Sequence, residues 1–179
     1  MKTAFRWMVA LSIVFLAPQA ALARSPADAS ITVPKDVYCL AQNIYHEARG
    51  EPMEGKLAVG HVVMNRMADK RFPRLACSVI KQGGYRHRYR CQFTWWCDGR
   101  SDRALDRVAW EESLVIAYLI RAGLTVDPTG GALWYHTTNV HPAWANRLVR
   151  DITIGRHVFY IDPARPKADA PTQVADAGS

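Results

Sequence analysis

Apolar residues recur at helical spacing at Val37, Leu40, Ala41, Ile44, Tyr45 and Ala48, which predicts a helix with one buried stripe. Asp36 is the expected N-cap. Gly50 and Pro52 end the helix, since glycine accepts the left-handed C′ position and proline cannot continue the ladder. A second helix is predicted through Leu57, Val59, Val62, Val63 and Met67, opened by Pro52 with the acidic Glu51 and Glu54 and closed between Asn65 and Asp69. Leu75 to Ile80 reads as a short helix or an apolar loop. The longest helix is expected from a cap at Ser101-Asp102, with Leu105, Val108, Val115, Ile116, Leu119 and Ile120 in helical register up to Gly123. Asp127-Pro128-Thr129-Gly130-Gly131 is a turn, leading into Ala132 to His136, an aromatic segment too short for a helix. Ile152, Ile154, Val158 and Tyr160 around Gly155-Arg156 predict a small hairpin or extended pair. The fold class is therefore mainly α (α+β), one domain over residues 36–161.

The ends of the chain have a different composition. Lys2 and Arg6, the apolar run Trp7 to Ala17 and the small-residue site Ala21-Leu22-Ala23 have the form of a secretory signal peptide over residues 1–23. The apolar run is well short of the ~20 residues a spanning helix needs, so no stable membrane insertion is expected after cleavage. Residues 24–35 read as a polar leader, and residues 162–179, rich in Pro, Ala and Asp, as a disordered tail. Export, to a periplasmic or extracellular site, gives the four cysteines a meaning, because disulfides persist in oxidising compartments. Cys39, Cys77, Cys91 and Cys97 allow three pairings that the sequence does not decide; the preferred one joins Cys91 to Cys97 and Cys39 to Cys77.

The net charge of +7 suits a polyanionic partner such as nucleic acid, an anionic membrane or an acidic cell-wall polymer. The segment Gly83 to Arg90 alternates cations with aromatics, and Cys91 to Gly99 adds Phe93, Trp95 and Trp96. Such faces stack on nucleobases or on sugar rings; an exported chain favours the glycan over nucleic acid.

Glu47 stands on the flank of the first apolar stripe, where partial desolvation raises a carboxyl pKa toward the range a general acid needs. Taken alone, a glutamate on a helix flank is more often a solvated surface group. His46-Glu47 resembles the start of a zinc-protease helix, but the second histidine that motif needs falls at Gly50. Four cysteines paired as disulfides leave no thiol nucleophile, and no Gly-x-Ser-x-Gly elbow or phosphate-binding glycine loop occurs. No metal or cofactor is expected. Glycosidic cleavage remains, commonly by two carboxylates. Glu51 and Asp98 are weak companions for Glu47; a single acid that later becomes the base can suffice when the substrate supplies its own nucleophile.

The run Cys39-Leu-Ala-Gln-Asn-Ile-Tyr-His-Glu-Ala-Arg-Gly-Glu-Pro52, followed by Gly55-Lys-Leu-Ala-Val-Gly-His-Val-Val-Met-Asn-Arg66, resembles the signature of cell-wall hydrolases of the spore-cortex-lytic type. Cys91-Gln-Phe-Thr-Trp95, Asp127 to His136 and Ile154-Gly-Arg-His-Val-Phe159 match its later blocks. The resemblance implies a lysozyme-like fold and action on the N-acetylmuramic acid to N-acetylglucosamine linkage of peptidoglycan, more as a lytic transglycosylase than as a hydrolase. It selects Glu47 as the acid, in a variant of the Ile-x-x-Glu-Ser pattern with Ala48 for the serine, and leaves Glu51 a capping or supporting role. It implies that Tyr135 lies across the cleft from Glu47, and that Gln92, Phe93 and Trp95 line the glycan groove, with His136, Trp134 and Trp144 as weaker substrate-binding candidates. His46, Arg49 and Tyr135 are the groups that could set the Glu47 proton. The partner expected is peptidoglycan and the chain a monomer; the alternative is a non-catalytic wall-binding protein that uses the aromatic loop as a sugar platform.

Overall fold

In a computed structural model, which describes residues 32–83 and 91–164, helix α1 (Lys35–Ala48) forms the centre of the domain. Its stripe Val37, Leu40, Ala41, Ile44, Tyr45 and Ala48 is buried throughout, as the spacing predicts. The N-cap is Pro34, not Asp36. Asp36 lies in the first turn, where its carboxylate oxygen accepts from the Cys77 backbone N–H (3.4 Å), so the side chain that would have capped α1 ties it to α3 (Ala76–Ile80) instead. The Cys39–Cys77 disulfide adds a covalent tie between the same two helices, and Cys91–Cys97 closes a second loop, Gln92 to Trp96.

Helix α2 (Met53–Ala68) packs across α1 and against α4 (Arg107–Arg121). The α2–α4 approach is close at Gly60, where a Cβ would run into Ile120 Cδ1. Lys56 Nζ donates to Glu112 Oε2 (2.6 Å) across the same contact. The α4 cap is Asp106, whose carboxylate accepts from Ala109 N–H (3.0 Å), rather than Ser101-Asp102. Tyr45 fixes this start point, because its hydroxyl oxygen accepts from both Leu105 and Asp106 backbone N–H groups. Only one of the two apolar ridges of α4 turns inward: Ser113, Ile116, Ala117 and Ile120 are buried, whereas Val108, Val115 and Leu119 are exposed, as is Leu105, which falls before the helix. Burying a side chain such as Ile116 is worth about 1.5–3 kcal/mol, and α1 offers room for one ridge.

The remaining elements form an antiparallel sheet, β1 (Trp134–Thr137), β2 (Val149–Ile154) and β3 (His157–Ile161), in the order β1-β3-β2. The predicted hairpin is β2–β3, turning at Gly155 (φ +55°). The aromatic segment after the Asp127 turn supplies the third strand, with Tyr135 opposite Phe159. Two apolar clusters meet beneath this sheet: Leu40, Ile44, Val63, Val79 and Ile116 inside the helices, and Ala48, Val59, Val62, Ala132 and Phe159 where α1 and α2 contact the strands. Tyr135 packs against both. Among the described residues no helix is long and apolar enough to cross a membrane. The signal peptide, residues 24–31 of the leader, residues 165–179 of the tail, and the basic segment Arg86 to Arg90 lie outside the described residues.

Candidate active site

Glu47 comes from the last turn of α1 and Tyr135 from β1, and the two meet because both elements pack on the Ala48–Phe159 cluster. The Tyr135 hydroxyl donates to Glu47 Oε2 (3.2 Å). Both side chains line a cleft of about 870 Å³ with Arg66, Gln92, Phe93 and His136. Burial pushes the Glu47 carboxyl up, against the opposing pull of the Tyr135 hydrogen bond and the Arg66 charge, and the net direction is upward. Burial, and then the adjacent Glu47 charge, push the Tyr135 phenol well above its ordinary value, so it remains a proton donor.

Arg66 was not singled out from the sequence as a site residue. It is buried on α2, one turn after Val62 and Val63, and a cation in register with a buried stripe is the signal that could have revealed it. Arg66 Nε donates to Leu133 O (2.7 Å), and the guanidinium lies over the Phe72 and Phe93 rings at 5.5 and 5.2 Å. Desolvation lowers its pKa to about 10, so it is still a cation at neutral pH. With its amide oriented to pair donors with acceptors, the Gln92 oxygen receives both terminal nitrogens of Arg66, at 3.1 and 2.9 Å. Asn65, the preceding residue, donates to Asp127 Oδ2 (2.8 Å) and Ala132 O (3.1 Å). Asp127 itself accepts from Thr129 and Gly131 N–H groups. The Asn65-Arg66 pair thus holds the turn whose exit places Tyr135.

The other expected site residues divide. Gln92 is exposed at the cleft, Phe93 forms part of its buried wall, and His136, Trp134 and Trp144 line it. Trp95 is not among the cleft-lining residues, contrary to expectation. Its Nε1–H donates to Asn43 Oδ1 (3.1 Å) and its indole stacks on His46 at 4.5 Å, so it is occupied in joining the second loop to α1. His136 is held by hydrogen bonds between its ring nitrogens and Thr137 O and Tyr160 Oη. Of the three groups that could set the Glu47 proton, His46 pairs with Asp102 O and Arg49 lies over the Tyr45 ring, leaving Tyr135 as the one bonded to the carboxyl.

Glu51, one turn beyond Glu47, is occupied differently. Oε2 accepts from Arg156 N–H (2.9 Å) and Oε1 from Arg156 Nε (2.7 Å). Burial pushes this carboxyl up, but the Arg156 hydrogen bonds and the His157 and Arg156 charges outweigh it and leave the pKa below the ordinary value. Among the described residues no three His, Cys, Asp or Glu side chains gather into a metal-binding group.

Residues 50–160 match the family described as Cell Wall Hydrolase, a span that begins just after Glu47. The chain is similar to the spore cortex-lytic enzyme of Halalkalibacterium halodurans, 30% identical over 127 residues covering 69% of this chain and 34% of that protein. The spore cortex-lytic enzyme of Bacillus subtilis is likewise 30% identical, over 69% of this chain and 37% of that protein. The chain spans between a third and a half of the length of the curated relatives it matches. Among solved structures it resembles the catalytic domain of the germination-specific lytic transglycosylase SleB from Bacillus anthracis, with TM-score 0.56 and 27% identity over 74% of this chain and 98% of that one. The catalytic domain of the Bacillus cereus SleB protein is similar at TM-score 0.53, 29% identity and 72% and 95% coverage. The fold shared with these domains is the mainly α class, with a small antiparallel sheet, expected from the sequence.

Proposed function

The chain belongs to the cell wall hydrolase family, and on that premise we propose that it is an exported enzyme that cleaves peptidoglycan glycan strands by lytic transglycosylation, with Glu47 as acid and then base. The observation that carries this reading is the partly desolvated Glu47 in an 870 Å³ cleft whose described lining holds no second carboxylate. Glu51, the nearest alternative, is ion-paired with Arg156 and held ionised. A two-carboxylate hydrolysis would need a free base or nucleophile that this lining does not offer.

In the proposed cycle, protonated Glu47 gives its proton to the glycosidic oxygen at the bond between N-acetylmuramic acid and N-acetylglucosamine. The C1–O bond breaks, and positive charge develops on the muramic ring. The carboxylate so formed, stabilised by the Tyr135 hydroxyl and the Arg66 charge, then takes the proton of the muramic 6-hydroxyl as that oxygen bonds to C1. The product is a 1,6-anhydro end, and Glu47 is protonated again. Gln92 and His136 would contact the sugars from the walls, and Tyr135 would orient the acid. The two disulfides agree with an oxidising compartment outside the cytoplasm. Mass spectrometry of fragments released from purified sacculi tests the reading. Anhydro-ended products are expected, reducing ends would indicate hydrolysis, and no soluble product would leave only the wall-binding alternative.

A further inference from the structure

A second recess adjoins the cleft over Glu47. His136, Val140 and Leu148 line the cleft and also line this recess of about 520 Å³, whose far wall carries His141, Asn146 and Arg150. Among the described residues lining this recess there is no carboxylate. Arg150, exposed on β2, gives one Nη2 proton to Thr153 Oγ1 (3.0 Å) and makes no ion pair with a described carboxylate. Arg147, on the adjoining cleft wall, makes none either. Arg156, on the other side, is already paired with Glu51. His136 is held to Thr137 O and Tyr160 Oη, and His141 to Asn146 Oδ1. The recess is thus a polar basin with a guanidinium that no described carboxylate pairs, and it shares three lining residues with the proposed catalytic cleft.

A peptidoglycan strand is a branched polymer in which the muramic sugars carry short peptides that end in carboxylates. A cleft that holds the strand over Glu47 must send that branch sideways. We propose that the recess between His136 and Arg150 is a stem-peptide subsite, in which Arg150 pairs with a stem carboxylate in the fork geometry that guanidinium favours. The inference rests on the glycan-cleaving reading above and extends it to substrate selection: the enzyme distinguishes strands that carry stems from strands that do not.

The test is a binding titration on the full chain carrying Glu47→Gln, so that nothing is turned over. The probes are glycan oligosaccharides with intact stem peptides and the same oligosaccharides stripped by an amidase. Stem-bearing fragments are expected to bind roughly tenfold tighter, the size of one charge-assisted contact at an exposed site. Adding Arg150→Ala should remove that preference while stripped fragments bind as before. Arg150→Lys should keep part of it, and rising salt should reduce it. Because Arg150 is an exposed residue of β2, a melting curve like the parent's should accompany the loss. Equal affinity for both fragments, or a preference that survives Arg150→Ala, overturns the subsite. Failure of the catalytic reading would show separately, as wild-type protein that releases no fragments from sacculi.

Discussion

Glu47 and Glu51 lie one helical turn apart in sequence, yet their surroundings drive them in opposite directions. Glu47 faces a cleft, takes one hydrogen bond from a neutral phenol, and is pushed upward by burial. Glu51 lies against the β2–β3 turn, where the backbone N–H and guanidinium of Arg156 saturate both oxygens, and it is held down. Burial alone would raise both. The difference lies in the number and charge of the donors together with the stronger desolvation of Glu47, and these separate a carboxyl whose proton affinity is raised from a structural anion.

The sharpest test of this contrast is to neutralise each carboxyl. Glu47→Gln is expected to reduce muropeptide release by roughly 10²–10⁴-fold with the fold intact, as loss of a general acid does. Glu51→Gln should instead cost about 2 kcal/mol of stability, read from urea unfolding, because it leaves the Arg156 donors poorly matched. Its effect on turnover at a temperature where the variant is folded should be much smaller. Gly155→Ala approaches the same clamp from the other side: a Cβ would meet Glu51 Oε2 at a backbone φ of +55°, and a loss of about 1–3 kcal/mol is expected.

Tyr135→Phe tests what holds the Glu47 proton. The hydroxyl's hydrogen bond lowers the Glu47 pKa, so removing it should raise that pKa and move the high-pH limb of the rate profile upward, with turnover reduced by roughly tenfold. The smallest expected effect is in stability against pH, where the two carboxyls have opposite signs. Glu51, depressed in the folded state, stabilises above its unfolded pKa, and that contribution disappears as pH falls through its folded value. Glu47, raised in the folded state, favours folding when protonated, and this is lost as pH rises from its unfolded value through its folded one. Glu47→Gln should therefore melt slightly above the parent at pH 7, and the difference should fade as the pH falls below the folded Glu47 value. A gap that widens on acidification would contradict the assigned directions.

Local pattern carried much of the fold. The stripe from Val37 to Ala48, the Asp127 turn and the hairpin about Gly155 were readable because each depends on neighbours three or four residues away, or on one glycine. Pattern was misleading where two solutions were locally equal. On α4 the ridges of Val108 and Ile116 have the same periodicity, and only the facing surface of α1 decides which is covered. Ser101-Asp102 and Asp106 are equally good caps by composition, and the Tyr45 hydroxyl, about 60 residues earlier in the chain, chooses Asp106. Trp95 was expected on the groove for the same reason: an aromatic ring in a loop has no local signal separating a sugar platform from a strut on α1.

The candidate site follows the same division. Glu47 and Tyr135 stood out as candidates through the resemblance of the helix-end block and of the block after the glycine turn, and the two side chains are hydrogen-bonded in the fold. Arg66, the Gln92 contact with it, and the place of Arg150 in the second recess depended on packing between elements far apart in the chain. The sequence by itself determined where helices and turns occur, which half-cystines are available, and which carboxylate stands at the edge of an apolar stripe. Only the tertiary structure decided which of two neighbouring glutamates has its proton affinity raised and which has it lowered, because a carboxyl's proton affinity is set by the donors, charges and solvent within a few ångströms, and those come from other elements of the chain.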